Sequence, residues 1–547
     1  MATPYLLHHL IDQSAGRTPD AESLRYRGQT LTYAQLAALQ DSVARGLQAA
    51  GLERFARVGV YLSKSYETVA AAFGATKAGC CFVPINPVLK ALQVEHILCD
   101  CDVQVLFTSR ERYLSLRDTL SKCSALRTVV LTSDSCSPAP EGAQYSLHTW
   151  AEFVSSGTPT PVRVADIDMA AILYTSGSTG KPKGVVISHR NLVSGAASVS
   201  SYLENRADDR LLAVLPLSFD AGFSQLTTAF TVGGSVVLLD YTMPMEVLKT
   251  LARECITGLT AVPPLYIQLS ELEWPAEINE HLRYFANTGG KMPRETLARL
   301  RARVPSAKPY LMYGLTEAFR SSFLPPEEVD RRPDSIGRAI PNQELLVLRS
   351  DGTPCAPNEP GELVHRGSTV SLGYWNDPEK TAERFRLLPR RINGLVLPEI
   401  AVFSGDNVQM DEEGFLYFIG RTDEMLKSSG YRMSPVEIEE AIYSTGLIAE
   451  AAAVGLPDDR LGHRIAVILL PREPGKFSTN ELLRALQKML PPYMVPHHVE
   501  VREATLPRNG NGKIDRKSLQ RELIEAEAKG KEAPAQSAST PSLQRVV

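Results

Sequence analysis

The sequence predicts an α/β protein: a large N-terminal domain of parallel α/β sheets that carries a β-rich subdomain, followed by a small α+β C-terminal domain. Three observations predict it. Up to about residue 330, apolar runs of strand length alternate with helix-length amphipathic segments, the pattern of βαβ units on a parallel sheet. From about 337 to 405 the runs become short and are separated by turn signals such as Asp351-Gly352, which suits hairpins rather than crossovers. Beyond about 420 a compact stretch of about a hundred residues has its own helices and strands. At 547 residues the chain exceeds what one core of ordinary size supports.

Composition narrows the class of function. Hydrophobic residues make up 44% and charged residues 22%, as in ordinary globular proteins, and the net charge of −4 gives no electrostatic reason to expect nucleic acid or an acidic membrane. No run approaches the ~18 apolar residues of a spanning helix, so membrane insertion is not expected. Residues 1–10 lack the basic segment and apolar core of a signal peptide. The eight cysteines, at 80, 81, 99, 101, 123, 136, 255 and 355, form no C-x-x-C pair and read as small buried hydrophobes of a reducing cytoplasm.

In chain order, residues 29–33 read as a strand and 34–50 as a helix closed by Gly51; 57–62 is a strand, 65–78 a helix ended by Gly79. Strands follow at 80–85, 103–107 and 128–131, and residues 135–161, rich in Ser, Pro, Gly and Thr, read as surface loop. Residues 188–202 suit a helix, and 210–215, 235–239, 258–262 and 282–285 suit strands. In the last hundred residues, Ser434-Pro-Val-Glu437 and Ser478-Thr-Asn-Glu481 are capping-box patterns that open helices to about 444 and 490. Strands are expected at 449–455 and 465–470, and a disordered tail from about 525 to 547.

The densest chemistry lies at 174–184, Y-T-S-G-S-T-G-K-P-K-G, between the apolar runs 169–173 and 185–187. Gly177, Gly180 and Gly184 let the backbone approach a ligand closely. Successive N–H groups, the hydroxyls of Thr175, Ser176, Ser178 and Thr179, and the cations Lys181 and Lys183 make an anion-binding concavity suited to polyphosphate. The alternative is a polar surface hairpin. It is not a G-x-x-x-x-G-K-[ST] loop, because Pro182 follows Lys181 and position 175 is Thr.

Further constellations follow. Asp220 in P-L-S-F-D-A-G-F-S-Q-L (216–226) is an acid among apolar neighbours, read either as a helix N-cap or as the counter-ion of a cationic substrate group. Tyr313-Gly-Leu-Thr-Glu317 offers a ring that can stack on a purine, a hydroxyl for a phosphate oxygen, and a carboxylate able to help hold Mg²⁺. Arg320 and Ser321 follow it; Arg320 reads as a surface residue, with contact to a polar substrate as the alternative. Residues 403–406 are F-S-G-D, and P-R-N-G-N-G-K-I-D (507–515) sets Lys513 beside glycine, where it is either one more exposed lysine or a functional one.

These motifs, in this order from 174 to 515, resemble those of the adenylate-forming enzymes: acyl- and aryl-CoA synthetases, luciferases and the adenylation domains of nonribosomal peptide synthetases. The resemblance implies an AMP-forming acid–thiol ligase using ATP and Mg²⁺. Its ATP site would comprise Thr175, Ser176, Gly177, Ser178, Thr179, Gly180, Lys181, Lys183, Gly289, Gly290, Tyr313, Gly314, Thr316, Asp406, Arg421 and Lys513. Lys513, Thr316 and Glu317 would be catalytic, with Glu317 on the metal. The acid pocket would include Asp220, Ala221, Ser224, Met312, Arg320 and Ser321. In this family Phe-Asp at 219–220 is the pattern of amino-acid enzymes, where the Asp receives the α-ammonium. The resemblance divides the chain into a core at 1–420, a hinge at 421–423 centred on Asp423, and a mobile domain at 424–524. Rotation about the hinge would exchange Lys513 for a thiolation face at Lys427, Ser428, Gly430 and Tyr431. The acceptor implied is the phosphopantetheine thiol of a separate acyl or peptidyl carrier protein, with CoA as the alternative.

Overall fold

A computed structural model describes residues 3–133, 135, 139–154, 157–175, 182–392, 395–421, 426–428, 431–458, 462–490, 494–509 and 512–532. The chain divides by its internal contacts into Met1–Phe418 and Ile419–Val547.

The first unit contains two large sheets. One has a parallel centre, ordered Glu22–Tyr26, Ser235–Leu238, Arg210–Ala213, Gly258–Ala261, Tyr284–Asn287, Lys308–Tyr313. It turns antiparallel at Ser322–Leu324 and continues through Ser335–Ala339 into Leu416–Arg421 and the β-rich strands Leu395–Met410, Gly361–Gly367 and Gln343–Leu348. The second sheet sets Arg57–Tyr61, Cys81–Pro84, Val103–Thr108, Thr128–Leu131, Ser146–Thr149 and Met169–Thr175 parallel, with Lys183–Ser188 and Gly373–Tyr374 antiparallel at its edge. The mixed α/β class and the parallel sheets follow the sequence expectation.

The main core draws side chains from both sheets and from the helices Tyr33–Ala49, Tyr66–Lys77, His189–Tyr202 and Asp220–Val232. That explains the composition of Tyr66–Lys77, whose residues 68–76 are all buried: a helix covered all round cannot keep a polar face. Its Gly74 lies where a Cβ would meet Val43 at 2.7 Å, so the helix packs backbone-close on its neighbour. Thr32, Ser65 and Ser188 cap their helices, each accepting a hydrogen bond from the N3 amide.

Several segments differ from the sequence reading. Residues 135–161 are not wholly loop: Ser146–Thr149 adds a strand and Trp150–Phe153 a helical turn, begun by a Thr149–Glu152 capping box. The helices Ala91–Asp100, Arg110–Leu120, Pro244–Arg253, Pro263–Ser270 and Arg294–Arg303 fill the crossovers between the expected strands. The proline pair 263–264 opens a helix, since a first turn needs no N–H there. Among the described cysteines, Cys99 and Cys255 are exposed rather than buried.

The second unit is a sheet of Tyr431–Met433, Leu426–Ser428, Gly462–Pro471, Ile448–Asp458 and His498–Val501, packed with the helices Pro435–Ser444, Thr479–Met489 and Arg516–Glu532. Ser434 and Ser478 cap their helices, accepting from the Val436 and Glu481 N–H groups, the serine half of each expected capping box. The last helix corrects the expected tail: residues 525–532 are helical, anchored upstream by buried Leu519 and Leu523 against Ala452, Val454 and Ala466, and by an Arg464–Glu527 ion pair. Residues 533–547 lie outside the described residues.

Gly222 tests the packing that fixes the start of Asp220–Val232, because a Cβ there would fall onto the carbonyl oxygen of Pro216. Gly222→Ala is expected to cost about 1–3 kcal/mol in urea denaturation. Gly16, helical and with nothing within 4 Å of its Cβ position, is the contrast: Gly16→Ala should be neutral or stabilising by about 0.5–1 kcal/mol.

Candidate active site

The site in the first unit is built where strands end. Met169–Thr175 and Lys183–Ser188 pair antiparallel with Tyr174 opposite Gly184 and Thr175 opposite Lys183, so the segment between them is the connection of a hairpin. Ser176, Gly177, Ser178, Thr179, Gly180 and Lys181 lie outside the described residues. At its two feet, Thr175 and Lys183 are half-buried. Tyr174 contributes no hydroxyl to the loop: its side chain is buried and donates to Asp100.

Gly373–Tyr374 pairs with the same strand as the second foot, Tyr374 opposite Val185. Its hydroxyl donates to Glu317 Oε1 at 2.6 Å, and the Lys183 ammonium sits 5.4 Å from the centre of its ring. Burial and the neighbouring charge of Lys380 hold the Lys183 ammonium below its usual range, with Glu317 acting in the opposite sense. Glu317, Tyr374 and Lys183 are therefore one cluster, although 134 positions separate Lys183 from Glu317 (317 − 183) in the chain. In sequence Tyr374 reads only as part of a strand, and pairing across the sheet is what gives it a partner.

Glu317 stands in a short 3-10 turn, Thr316–Ala318, after the last parallel strand. The next residue, Phe319, has φ 54° and ψ −54°, and the Arg320 N–H donates to the Ala318 carbonyl at 2.6 Å. This is a γ-turn with positive φ, a strained form for a non-glycine residue, costing about 1–3 kcal/mol. Complete burial of the Phe319 ring returns a comparable amount, about 1.5–3 kcal/mol. Gly195 makes room for that ring: a Cβ there would lie 2.5 Å from it.

The γ-turn carries Arg320 inward, which corrects the surface reading. Arg320 is 3% exposed and donates to Thr288 Oγ1 at 3.0 Å, while its Nε has no partner and no carboxylate pairs with it among the described residues. Taking a guanidinium out of water costs several kcal/mol, and one hydrogen bond recovers about 1.5–3 kcal/mol. Arg320 lines a small cavity of about 10 Å³, room for about one water, with Ala221, Ser224, Gln225, Met312 and Thr260 among its neighbours. Ser321 is fully buried beside it in sequence.

Asp220 is not the N-cap. Phe219 holds that position without a side-chain bond, and Asp220 is the first helical residue, its Oδ1 accepting from the Ala221 N–H at 2.7 Å. A carboxylate in the first turn is stabilised by the helix dipole. Asp220 is half-buried and does not line the cavity that Arg320 lines.

On the β-rich side, Tyr313 donates to Asp406 Oδ2 and stacks on His365 with ring centres 6.3 Å apart. Asp406 is aimed by a bulge: Val364 pairs with Phe403 and Glu362 with Asn407, leaving Ser404, Gly405 and Asp406 opposite Leu363 alone. Ser404 anchors the bulge, donating to the Leu363 carbonyl and accepting from the Asp406 N–H, and Gly405 adopts φ 70° against the Arg384 guanidinium. Gly289, at φ 78°, and Gly290 are exposed beside Val262 and Pro263. The half-buried Gly314 and Thr316 lie between Tyr313 and Glu317.

In the second unit, Lys513 is exposed near the tip of a hairpin closed by an Arg508–Ile514 bridge. Its N–H donates to Asn509 Oδ1, and Gly512 takes φ 77° to make the turn. Arg421 is half-buried at the end of its strand. Asp423 and Gly430 lie outside the described residues, as do the side chains of Lys427 and Tyr431. Ser428 is buried, and its hydroxyl has no partner among the described residues.

These donors fit a nucleoside triphosphate with Mg²⁺. A carboxylate held by one tyrosine beside a lysine, at the foot of a glycine-rich hairpin, is an oxygen ligand of the kind Mg²⁺ takes singly while phosphates and water complete its shell.

The chain matches the AMP-binding enzyme family over residues 11–375 and the AMP-binding enzyme C-terminal domain over 437–513. It is 30% identical over 522 residues to the indoleacetate–CoA ligase of Aromatoleum aromaticum, covering 95% of this chain and 98% of that one. Identity to a linear gramicidin synthase of Brevibacillus parabrevis is 31% over 94% of this chain, which spans only 6% of the length of that protein. Among solved structures, the o-succinylbenzoate CoA synthetase of Bacillus subtilis in complex with ATP and magnesium superposes with a TM-score of 0.78 at 26% identity, covering 93% of this chain and 99% of that one. ATP-bound MatB from Rhodopseudomonas palustris gives 0.83 at 24% identity, covering 95% and 99%, a likeness of fold.

His365 sets a pH dependence. Both ring nitrogens are buried without partners among the described residues, and burial pushes the imidazole down to about 3. The unfolded chain binds this proton near the usual pH 6.5 and the folded chain does not, so stability is lost as pH falls from about 6.5 towards 3. Burial holds His8 and His189 below their usual range too, so urea midpoints measured from pH 7.5 to 5 should decline for the wild type, and His365→Phe should make that decline shallower without abolishing it.

Proposed function

The chain belongs to the AMP-binding enzyme family of adenylate-forming, AMP-forming ligases, and on that footing we propose how its own residues activate an acid and where the acyl group goes. The observation that carries the proposal is the Glu317–Tyr374–Lys183 cluster at the foot of the hairpin.

The acid carboxylate attacks the α-phosphorus of ATP; an O–Pα bond forms, the bond to the β-phosphate oxygen breaks, and pyrophosphate leaves. Two anions must approach, so the chain needs positive charge and N–H donors on the leaving group. Lys183, with Thr175, Ser176, Gly177, Ser178, Thr179, Gly180 and Lys181, holds the β- and γ-phosphates. Mg²⁺, when bound, would neutralise phosphate charge; Glu317 would contribute a ligand, its carboxylate oriented by the Tyr374 hydroxyl. Thr316 donates to the α-phosphate, Tyr313, Gly314, Gly289 and Gly290 flank the adenine, and Asp406 with Arg421 binds the ribose. Lys513 stabilises charge on the transferring group, and a preorganised donor of this kind is worth roughly 10²–10³ in rate. In the second half-reaction a thiol, giving its proton to solvent, attacks the acyl carbon; the S–C bond forms, the acyl C–O bond to the phosphate breaks, and AMP leaves.

CoA is the proposed thiol. Support comes from relatives matched over nearly their whole length, which are CoA ligases, whereas the peptide synthetase relatives are matched over a small fraction of theirs. A second reading, an amine-bearing acid passed to a carrier protein, rests on Asp220 in the first turn of its helix beside Ala221 of the cavity. The hinge at Asp423 and the thiolation face at Lys427, Ser428, Gly430 and Tyr431 belong to either reading.

ATP–pyrophosphate exchange, assayed over fatty, aryl, dicarboxylic and amino acids, is expected to reveal the acid, with Lys513→Ala lowering exchange by roughly 10²–10³. Exchange unaffected by that substitution removes Lys513 from the mechanism. Tyr374→Phe should lower the rate about tenfold by loosening Glu317, with the KM of the acid little changed. Thioester formation is expected with CoA. Formation only with a holo carrier protein, together with amino-acid exchange lost in Asp220→Ala, would establish the second reading instead.

A further inference from the structure

Arg320 is a buried cation in the wall of the small cavity. Its guanidinium is nearly fully buried, lines the cavity and, among the described residues, has one neutral hydrogen-bond partner in Thr288 and none at Nε. The positive-φ turn at Phe319, packed on Gly195, sets the backbone from which the side chain reaches Thr288. A buried cation without a counter-charge awaits an anion.

The rest of the wall agrees. Ser224, Gln225, Thr228 and Thr260 supply polar atoms, and Gln225 Oε1 is buried without a partner while its Nε2 donates to Leu212 and Thr260 carbonyls. An alkyl tail would bury methylenes against the guanidinium and these groups. Leu211, Tyr284 and Met312 complete the lining, and the cavity as it stands has room for about one water, so an acid would have to displace side chains of this wall to enter.

We infer that Arg320 is a specificity-determining residue and that the activated acid carries a second carboxylate at its far end, paired with this guanidinium. The inference rests on the acid-activating reading of the site. One carboxylate is adenylated; the other stays ionised against the planar donor fork of Arg320, a geometry that a lysine would not reproduce.

The test is ATP–pyrophosphate exchange with matched acids: glutarate against pentanoate, adipate against hexanoate, terephthalate against benzoate. Wild-type protein is expected to favour the diacid of at least one pair by about tenfold or more in kcat/KM. Arg320→Met should lower that ratio by roughly 10²-fold, and Arg320→Lys by less. Thermal shift of wild-type protein, free of any concern about variant folding, should be larger with that diacid than with its monoacid partner. Exchange confined to acids without a second carboxylate, or a ratio unmoved in Arg320→Met, overturns the assignment. No exchange with any acid tried in either assay series would instead refute the ligase reading beneath it.

Discussion

Strand Lys308–Tyr313 ends the parallel sheet, and Ser322–Leu324 begins the antiparallel part with Ser322 opposite Tyr313. The chain must reverse in the eight residues between them, 314–321, while presenting a carboxylate and burying a guanidinium. The γ-turn at Phe319 meets that constraint. It persists only because the ring is fully buried against a glycine on another helix. Fix that turn, and Glu317 meets Tyr374 while Arg320 reaches Thr288.

A second device serves the nucleoside side by different means. There the strand stays in its sheet, and a bulge of three residues opposite one turns Asp406 to Tyr313. Both devices put side chains at positions that regular backbone would not offer, and both are held by ordinary packing and hydrogen bonds. The polar groups they position are the ones proposed for ATP and the acid.

The motif residues were legible because their chemistry is local. A glycine-rich run with hydroxyls and lysines, a Y-G-x-T-E, an S-G-D and a G-K-I-D each announce donors, carboxylates or tight turns without reference to distant residues. Family membership follows from their order. Tyr374 and Arg320 were different. Nothing near Tyr374 indicates that it holds Glu317, 57 residues away, because the link is a pairing at a sheet edge. Arg320 looks like a surface cation in sequence, since arginine is seldom buried alone.

The sequence by itself determined the α/β class, most strand positions, the helix caps at Ser434 and Ser478, and the membership in an adenylate-forming family. These depend on periodicity, turn chemistry and short-range hydrogen bonds, which neighbours in the chain carry. Only the tertiary structure decided that Asp220 begins its helix rather than capping it, that residues 525–532 are helical, and that Arg320 is inside. Each of these turns on what packs against the segment from elsewhere. A helix face finds a sheet, or a ring finds the space beside a glycine, and burial then overrides what the local residues prefer.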